Sequence, residues 1–163
     1  MAESVHLFLK ANGSDVKGDS TQVSLGRKDS IECLYYEQGV QSAREAGTGT
    51  ALGRRQYSPL VIRKRIDKSS PLLVKALVEN QKIEGTFKFF RPSPTGDGTT
   101  EQFYTVVIKE GHVSSARQFV HDTISSATNL LPPMEEVTFV FKTISWTFTN
   151  GGISHEDSWS SNR

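Results

Sequence analysis

The stretch Leu60-Val61-Ile62-Arg63-Lys64-Arg65-Ile66-Asp67-Lys68-Ser69-Ser70-Pro71-Leu72-Leu73-Val74-Lys75-Ala76-Leu77-Val78-Glu79-Asn80 changes its hydrophobic period part-way along. In its first third, Leu60, Ile62 and Ile66 share one face with Lys64 between them, while Arg63 and Arg65 point the other way. That is the two-residue alternation of a strand. In its last third, Leu72, Leu73, Ala76 and Leu77 fall within a stripe about 140° wide at about 100° per residue, as an amphipathic helix requires. Ser70 can cap the free N–H groups of the first turn, Pro71 suits the first helical position, and Asn80 tolerates a left-handed stop. The spacing predicts a helix over about residues 71–80. Three turns are too short to be stable alone, so the helix must dock on a sheet through Leu73 and Leu77.

Strand-like runs dominate on both sides of this junction. Ser4 to Lys10 alternates Val5, Leu7 and Leu9 against His6 and Phe8, and Ser30 to Tyr36 follows a polar turn. Thr86–Phe90 and Phe103–Ile108 flank Pro92-Ser93-Pro94-Thr95-Gly96-Asp97-Gly98, which reads as a hairpin with a long tip. Val113 begins another candidate strand. Val137 to Phe148 reads as the longest, apolar on both faces at its centre (Phe139, Val140, Phe141, Ile144, Trp146), so both faces should be covered. Many strands and one helix predict a mainly β chain: one β-barrel or sandwich domain spanning residues 1–163, with a short helix packed on its side. Two stretches lack periodicity. Gln41 to Gln56, with Gly47, Gly49 and Gly53 among small polar residues, predicts an extended loop over about residues 42–55, and Phe119 to Pro133 is similarly irregular.

Bulk properties exclude several function classes. With 19 Lys plus Arg against 18 Asp plus Glu, the net charge of +1 supplies no long-range field for nucleic acid or acidic membranes. One cysteine, Cys33, excludes an intrachain disulfide. The start, Met1-Ala2-Glu3-Ser4-Val5-His6, lacks the basic and apolar regions of a signal peptide, and no run of about 18 apolar residues could span a bilayer. The expectation is a cytoplasmic chain that leaves the cell, if it does, by another route.

Chemistry-bearing motifs are absent from the sequence. His6, His112, His121 and His155 show no metal-ligand spacing, and His155-Glu156-Asp157 reads as a solvated turn. Cys33 has no CxxC partner and reads as a small buried hydrophobe. Gly47-Thr48-Gly49-Thr50-Ala51-Leu52-Gly53 mimics a phosphate loop but lacks the Gly-Lys-Ser/Thr that follows one. No catalytic, cofactor or metal site is expected. The basic set Arg54, Arg55, Arg63, Lys64, Arg65 and Lys68 is the one candidate for nucleic acid, against the reading that these charges are solvated or paired at an interface.

Longer strings carry a resemblance. Arg65-Ile66-Asp67-Lys68-Ser69-Ser70-Pro71-Leu72-Leu73 resembles a strand-to-helix junction of the Hcp family, and Thr48-Gly49-Thr50-Ala51-Leu52-Gly53-Arg54-Arg55 is similar to that family's glycine-rich extended loop. Val5-His6-Leu7-Phe8-Leu9-Lys10, Val16-Lys17-Gly18-Asp19-Ser20, Gly26-Arg27-Lys28-Asp29-Ser30-Ile31-Glu32 and Glu101-Gln102-Phe103-Tyr104-Thr105 fall in the family's order. So do Ile144-Ser145-Trp146-Thr147-Phe148 and Gly151-Gly152-Ile153-Ser154-His155-Glu156-Asp157-Ser158-Trp159. Phe119 to Glu135 matches least. The resemblance implies a β-barrel with a flanking helix that closes into hexameric rings. The rings stack into the inner tube of a type VI secretion apparatus, propelled by a contractile sheath, tipped by a VgrG-type spike and carrying effectors in the lumen. The subunit would be cytoplasmic when assembled and then secreted, with no enzymatic activity and no cofactor.

On this view Arg44, Gly47, Gly49, Gly53, Arg54 and Arg55 form an inter-subunit loop whose arginines pair with carboxylates of a neighbour. Ser70, Pro71, Leu73 and Leu77 form a structural clamp. The alternatives are a free-standing barrel that binds single-stranded nucleic acid or carbohydrate, and an enzyme without a legible site.

Overall fold

A computed structural model describes residues 3–159, so the first two residues of the N-terminal stretch read for a targeting signal, and residues 160–163, lie outside the described residues. In chain order the strands are β1 (Ser4–Ala11), β2 (Ser14–Val16), β3 (Ile31–Cys33), β4 (Tyr35–Glu37), β5 (Val40–Gln41), β6 (Gln56–Tyr57) and β7 (Leu60–Arg65). Helix α1 (Ser70–Val78) follows, then β8 (Ile83–Pro92), β9 (Thr100–Phe119), β10 (Met134–Val140), β11 (Thr143–Phe148) and β12 (Ile153–Ser158). All pairings are antiparallel.

The backbone path runs β2-β1-β8-β9-β10-β7-β4, with β11 added beside β9, β12 beside β11, and β3 beside β1. It does not close, so of the two architectures expected the open sandwich is the one formed. Strand β9 belongs to both layers. Its first half pairs with β8 and β11, and its second half pairs with β10. The change of layer falls at Glu110, whose φ is +51°, and Gly111, where an added Cβ would lie 2.7 Å from the Val140 carbonyl oxygen. The strands expected to start separately at Phe103 and Val113 are therefore one bent strand of 20 residues.

The reverse holds for Val137 to Phe148. Phe141 and Lys142 interrupt it, and β10 and β11 join opposite layers. Its apolar residues on both faces reflect two strands whose inward sides face the same core from opposite directions, rather than one strand covered twice. Phe139 and Ile144 are both fully buried in that core, with Leu7, Ile62, Phe87 and Ile108.

Helix α1 starts one residue before and stops two residues before the predicted bounds. Asn80 takes the left-handed φ of +52° that ends it. Leu73 is 0% exposed and Ala76 1%, Leu77 packs half-buried against the core, and Leu72 is exposed. Ser70 does not cap the helix as expected. Its hydroxyl accepts from the Asp67 N–H at 3.0 Å and from Lys64 Nζ at 3.2 Å. A charge is responsible: Lys64 lies on the inward face with Leu60 and Ile62 and is fully buried, so its ammonium needs every acceptor within reach. Nζ pairs with Glu135, its cross-strand partner and equally buried, at 3.1 Å, and with Asp67 at 3.0 Å. Burial by itself would raise Asp67, but hydrogen bonds from Ser69 and Lys64 hold its carboxyl below the usual range. Ile66, expected on the same face, lies past the end of β7 and is exposed.

A second buried polar cluster pins the strap formed by residues 17–30. Gly18 N–H donates to the Asp29 carbonyl at 3.0 Å, and a Cβ there would meet the Ser30 oxygen at 2.7 Å. Ser30 Oγ donates to the Arg27 carbonyl at 2.6 Å, so it must accept from His6 Nδ1 at 2.9 Å. That fixes the proton on Nδ1 and leaves Nε2 to accept from Ser4 Oγ at 3.2 Å. Arg27 is 2% exposed, stacks over Phe90 at 4.7 Å and donates to Gln22 Oε1, Ser24 Oγ and the Ser24 carbonyl, all neutral acceptors. Burial pushes the fully enclosed His6 imidazole down to about 4; Glu32 opposes this and the Arg27 charge adds to it.

Two outcomes are expected. Leu73→Ala costs about 2–5 kcal/mol because the site is sealed, while Leu72→Ala stays within about 0.5 kcal/mol; chemical denaturation of both variants checks this. For His6, the unfolded imidazole takes up a proton near pH 6.5 and the native one only near 4. Its contribution is therefore complete above pH 6.5 and declines as pH falls toward 4, by about 3 kcal/mol at most. His6→Asn, which retains a donor toward Ser30, should flatten the fall in unfolding free energy between pH 6.5 and 4 relative to the parent. Equal slopes in the two proteins contradict the assignment.

Candidate functional site

Residues 40–57 form a hairpin arm rather than a featureless loop. Strands β5 and β6 pair Val40 with Tyr57 and Gln41 with Gln56. Further out, Arg44 bridges Ala51, Leu52 N–H donates to the Ala43 carbonyl at 2.8 Å, and Glu45 N–H donates to the Thr50 carbonyl at 2.9 Å. At the tip Gly49 takes a φ of +73°, where a glycine is required, whereas Gly47 and Gly53 have neither a positive φ nor a close neighbour. From Ala43 to Arg54 every residue is exposed, Leu52 at 63%.

The arginines expected to reach another subunit are engaged within this chain. Arg55 grips Asp157 of β12 through Nε and Nη2, and Nη2 also donates to the Ser158 carbonyl at 2.6 Å. Arg54 donates to the Trp159 carbonyl at 2.7 Å, and Arg44 to the Gly49 carbonyl at 3.3 Å. The Arg55 pairing has a plain cause. Strand β12 lies beside the arm's root and presents a carboxylate only 16% exposed, so pairing with it costs less desolvation than leaving both charges there alone.

Aromatic rings complete the root. Tyr57 donates to Asp157 Oδ2 and stacks between Trp146 at 6.3 Å and Trp159 at 5.9 Å. Trp146 stacks in turn on His155 at 5.9 Å, and its Nε1 donates to Gln38 Oε1 at 3.2 Å on the arm's incoming side. Burial and the bond to Asp157 both raise the Tyr57 phenol, so it stays a donor; the same carboxylate raises Arg55. His155-Glu156-Asp157 is thus part of a strand, not a solvated turn. Gln38, Tyr57, Trp146, Asp157 and Trp159 were not singled out as a group from the sequence, because no local spacing links positions about a hundred residues apart.

The other predicted residues are scattered. Five of the six basic residues have carboxylate partners: Arg63 with Glu136, Arg65 with Glu32, and Lys68 with Asp19 and Asp29, beside the Lys64 and Arg55 pairs, while Arg54 donates to the Trp159 carbonyl. The feature that had suggested nucleic acid is thus mostly paired within the chain. His112 is half-buried in β9 opposite Val140, and His121 lies edge-on to Phe119 at 5.1 Å. Burial pushes the Cys33 thiol up to about 12, which leaves it protonated and inert. Among the described residues, no three His, Cys, Asp or Glu side chains are grouped to hold a metal ion, and no helix is long and apolar enough to cross a membrane.

Comparison with known proteins agrees with this picture. A family model described as "Type VI secretion system effector, Hcp" matches residues 8–148. The chain is 28% identical over 137 residues to the major exported protein of Pseudomonas aeruginosa, covering 83% of this chain and 78% of that protein. Among solved structures, a mutant Hcp1 from the E. coli EAEC 042 pathovar superposes with a TM-score of 0.82 at 28% identity, over 97% of this chain and 99% of that one. The secreted protein Hcp3 of Pseudomonas aeruginosa, at 21% identity and a TM-score of 0.73, covers 98% and 100% and bears on the fold alone.

Proposed function

The chain belongs to the Hcp family of type VI secretion proteins, and on that footing we propose that it is the repeating subunit of a secreted tube. Six copies close head-to-tail into a ring, and rings stack through complementary front and back faces. A contractile sheath drives the tube outward behind a VgrG-type spike, with effectors held in the lumen. The subunit leaves the cell with the tube, as the name of its exported Pseudomonas relative suggests.

The observation that carries this reading is the arm: a hairpin exposed along its outer length and fastened only at its root. A surface hairpin with so little burial adds little to the stability of its own chain, so its rigidity serves a contact elsewhere. The chemistry offered to a neighbouring copy is apolar and hydroxylic, beside the exposed charges of Arg44 and Glu45. Leu52 and Val40 are exposed at 63% and 48%, and Thr48 and Thr50 sit at the tip. Of the arginines that the sequence suggested for this task, Arg54 and Arg55 are held at the root, and Arg44 bonds the Gly49 carbonyl within the arm.

Replacing Gly47–Gly53 with a two-residue turn should change the unfolding free energy of the protomer by no more than about 1 kcal/mol, since surface loops tolerate changes of length. Sedimentation velocity should then show rings of six 18.1 kDa copies that no longer stack, and secretion should stop. A shortened protein that stacks and is secreted like the parent would reduce the arm to a simple connection.

A further inference from the structure

We infer that β12, near the C-terminal end of the described chain, is the bracket that fixes the direction of the arm, and that Asp157 and Trp159 are positioning residues for assembly. The inference rests on the reading that the arm contacts a neighbouring copy. It adds the part of the chain that aims it.

The incoming limb of the arm is tied to β11, and the outgoing limb to β11, β12 and the residue that follows it. The incoming limb is held by Gln38, whose side-chain oxygen accepts from Trp146 of β11 at 3.2 Å. The outgoing limb is held at three successive points: Arg54 at the Trp159 carbonyl, Arg55 at Asp157 and the Ser158 carbonyl, and Tyr57 at Asp157 and both tryptophan rings. Two-stranded hairpins hold no fixed direction unless packed on something larger. Beyond the two residue pairs of β5 and β6, the arm joins the body through one bond from the Ser58 N–H to the Gly39 carbonyl at 2.9 Å and through β4 and β7, which pair from Glu37 and Val61 onward. A forked guanidinium–carboxylate pair defines angle as well as distance, and stacked rings block rotation about the remaining axis. The bracket therefore stiffens this short root from the side.

The charges also define what cannot happen. Asp157 is shared by Arg55 and the Tyr57 hydroxyl, so losing the carboxylate releases two points of attachment at once. The network meets the body at Tyr57, which belongs to the buried core and lies edge-on to Phe141, and at Trp146, packed against that core. Asp157 and Trp159 lie outside the core, so substitutions there address the arm while Leu7, Phe87, Ile108 and the Lys64–Glu135 pair stay in place.

Hydrogen–deuterium exchange on dilute protomers tests this with Asp157→Asn, Trp159→Ala, and the exchange of charges Arg55→Asp with Asp157→Arg. Amides of residues 38–58 should exchange at least tenfold faster in the two single variants, with the melting temperature of the body changed by only a few degrees. The exchanged pair should recover most of the protection, which a loss of mere packing would not. Unchanged exchange across residues 38–58 in both single variants overturns the bracket, whatever happens to assembly. A loosened arm in rings that still stack at the parent's concentration supports the bracket but overturns the arm as a stacking contact, so the two readings fail separately.

Discussion

The architecture depends on one strand serving two sheets. Strand β9 leaves the first layer and enters the second within a single residue pair, Glu110 and Gly111, and its partners β8, β10 and β11 are arranged about that bend. An extended chain can change layers only where backbone can approach backbone, and the Val140 carbonyl sits where a side chain at position 111 would begin. Because β10 and β11 flank the bend on opposite layers, the core between them is closed by the same chain turning back on itself. Helix α1 then covers the side with Leu73 and Ala76.

Within this frame the fold carries two buried cations under different regimes. Lys64 is compensated by carboxylates, and its cross-strand pairing with Glu135 coincides with the β7–β10 register. A shift of one residue would turn Lys64 and Glu135 to opposite faces, so the pair selects one register even if an apolar pair would be as stable. Arg27 has only neutral acceptors and the face of Phe90, and the neighbouring imidazole is kept neutral chiefly by burial, with the Arg27 charge adding to it. In the first cluster charge is balanced; in the second it is tolerated because it is spread over a planar group that neutral oxygens can surround.

The arm is an exposed element that takes a defined shape without a core of its own. Its outer hydrogen bonds hold its shape, and its direction comes from a network with β11 and β12. That division leaves the outer part of the hairpin free of obligations to its own chain. Apolar and hydroxyl groups stay exposed along it, while the guanidinium of Arg55 is kept at the root, where a nearly enclosed carboxylate makes the stronger contact.

Local periodicity by itself determined the mainly β character, the one helix with its buried Leu73 and left-handed stop at Asn80, and the inward placement of Lys64 on β7. In each case the deciding neighbours are two to four residues away, and side-chain direction follows from backbone geometry alone. The ordered strings around Ser69-Ser70-Pro71 and Ile144-Ser145-Trp146 likewise carried the family. Tertiary structure alone decided that residues 100–119 are one bent strand and residues 137–148 two strands, since a layer change leaves the hydrophobic pattern unbroken. It alone decided that Ser70 serves Lys64 rather than the helix end, and that Arg55 belongs to Asp157, 102 residues along the chain. A buried charge or a forked guanidinium takes the partner that folding brings nearest, and no spacing in a sequence encodes which segment that will be.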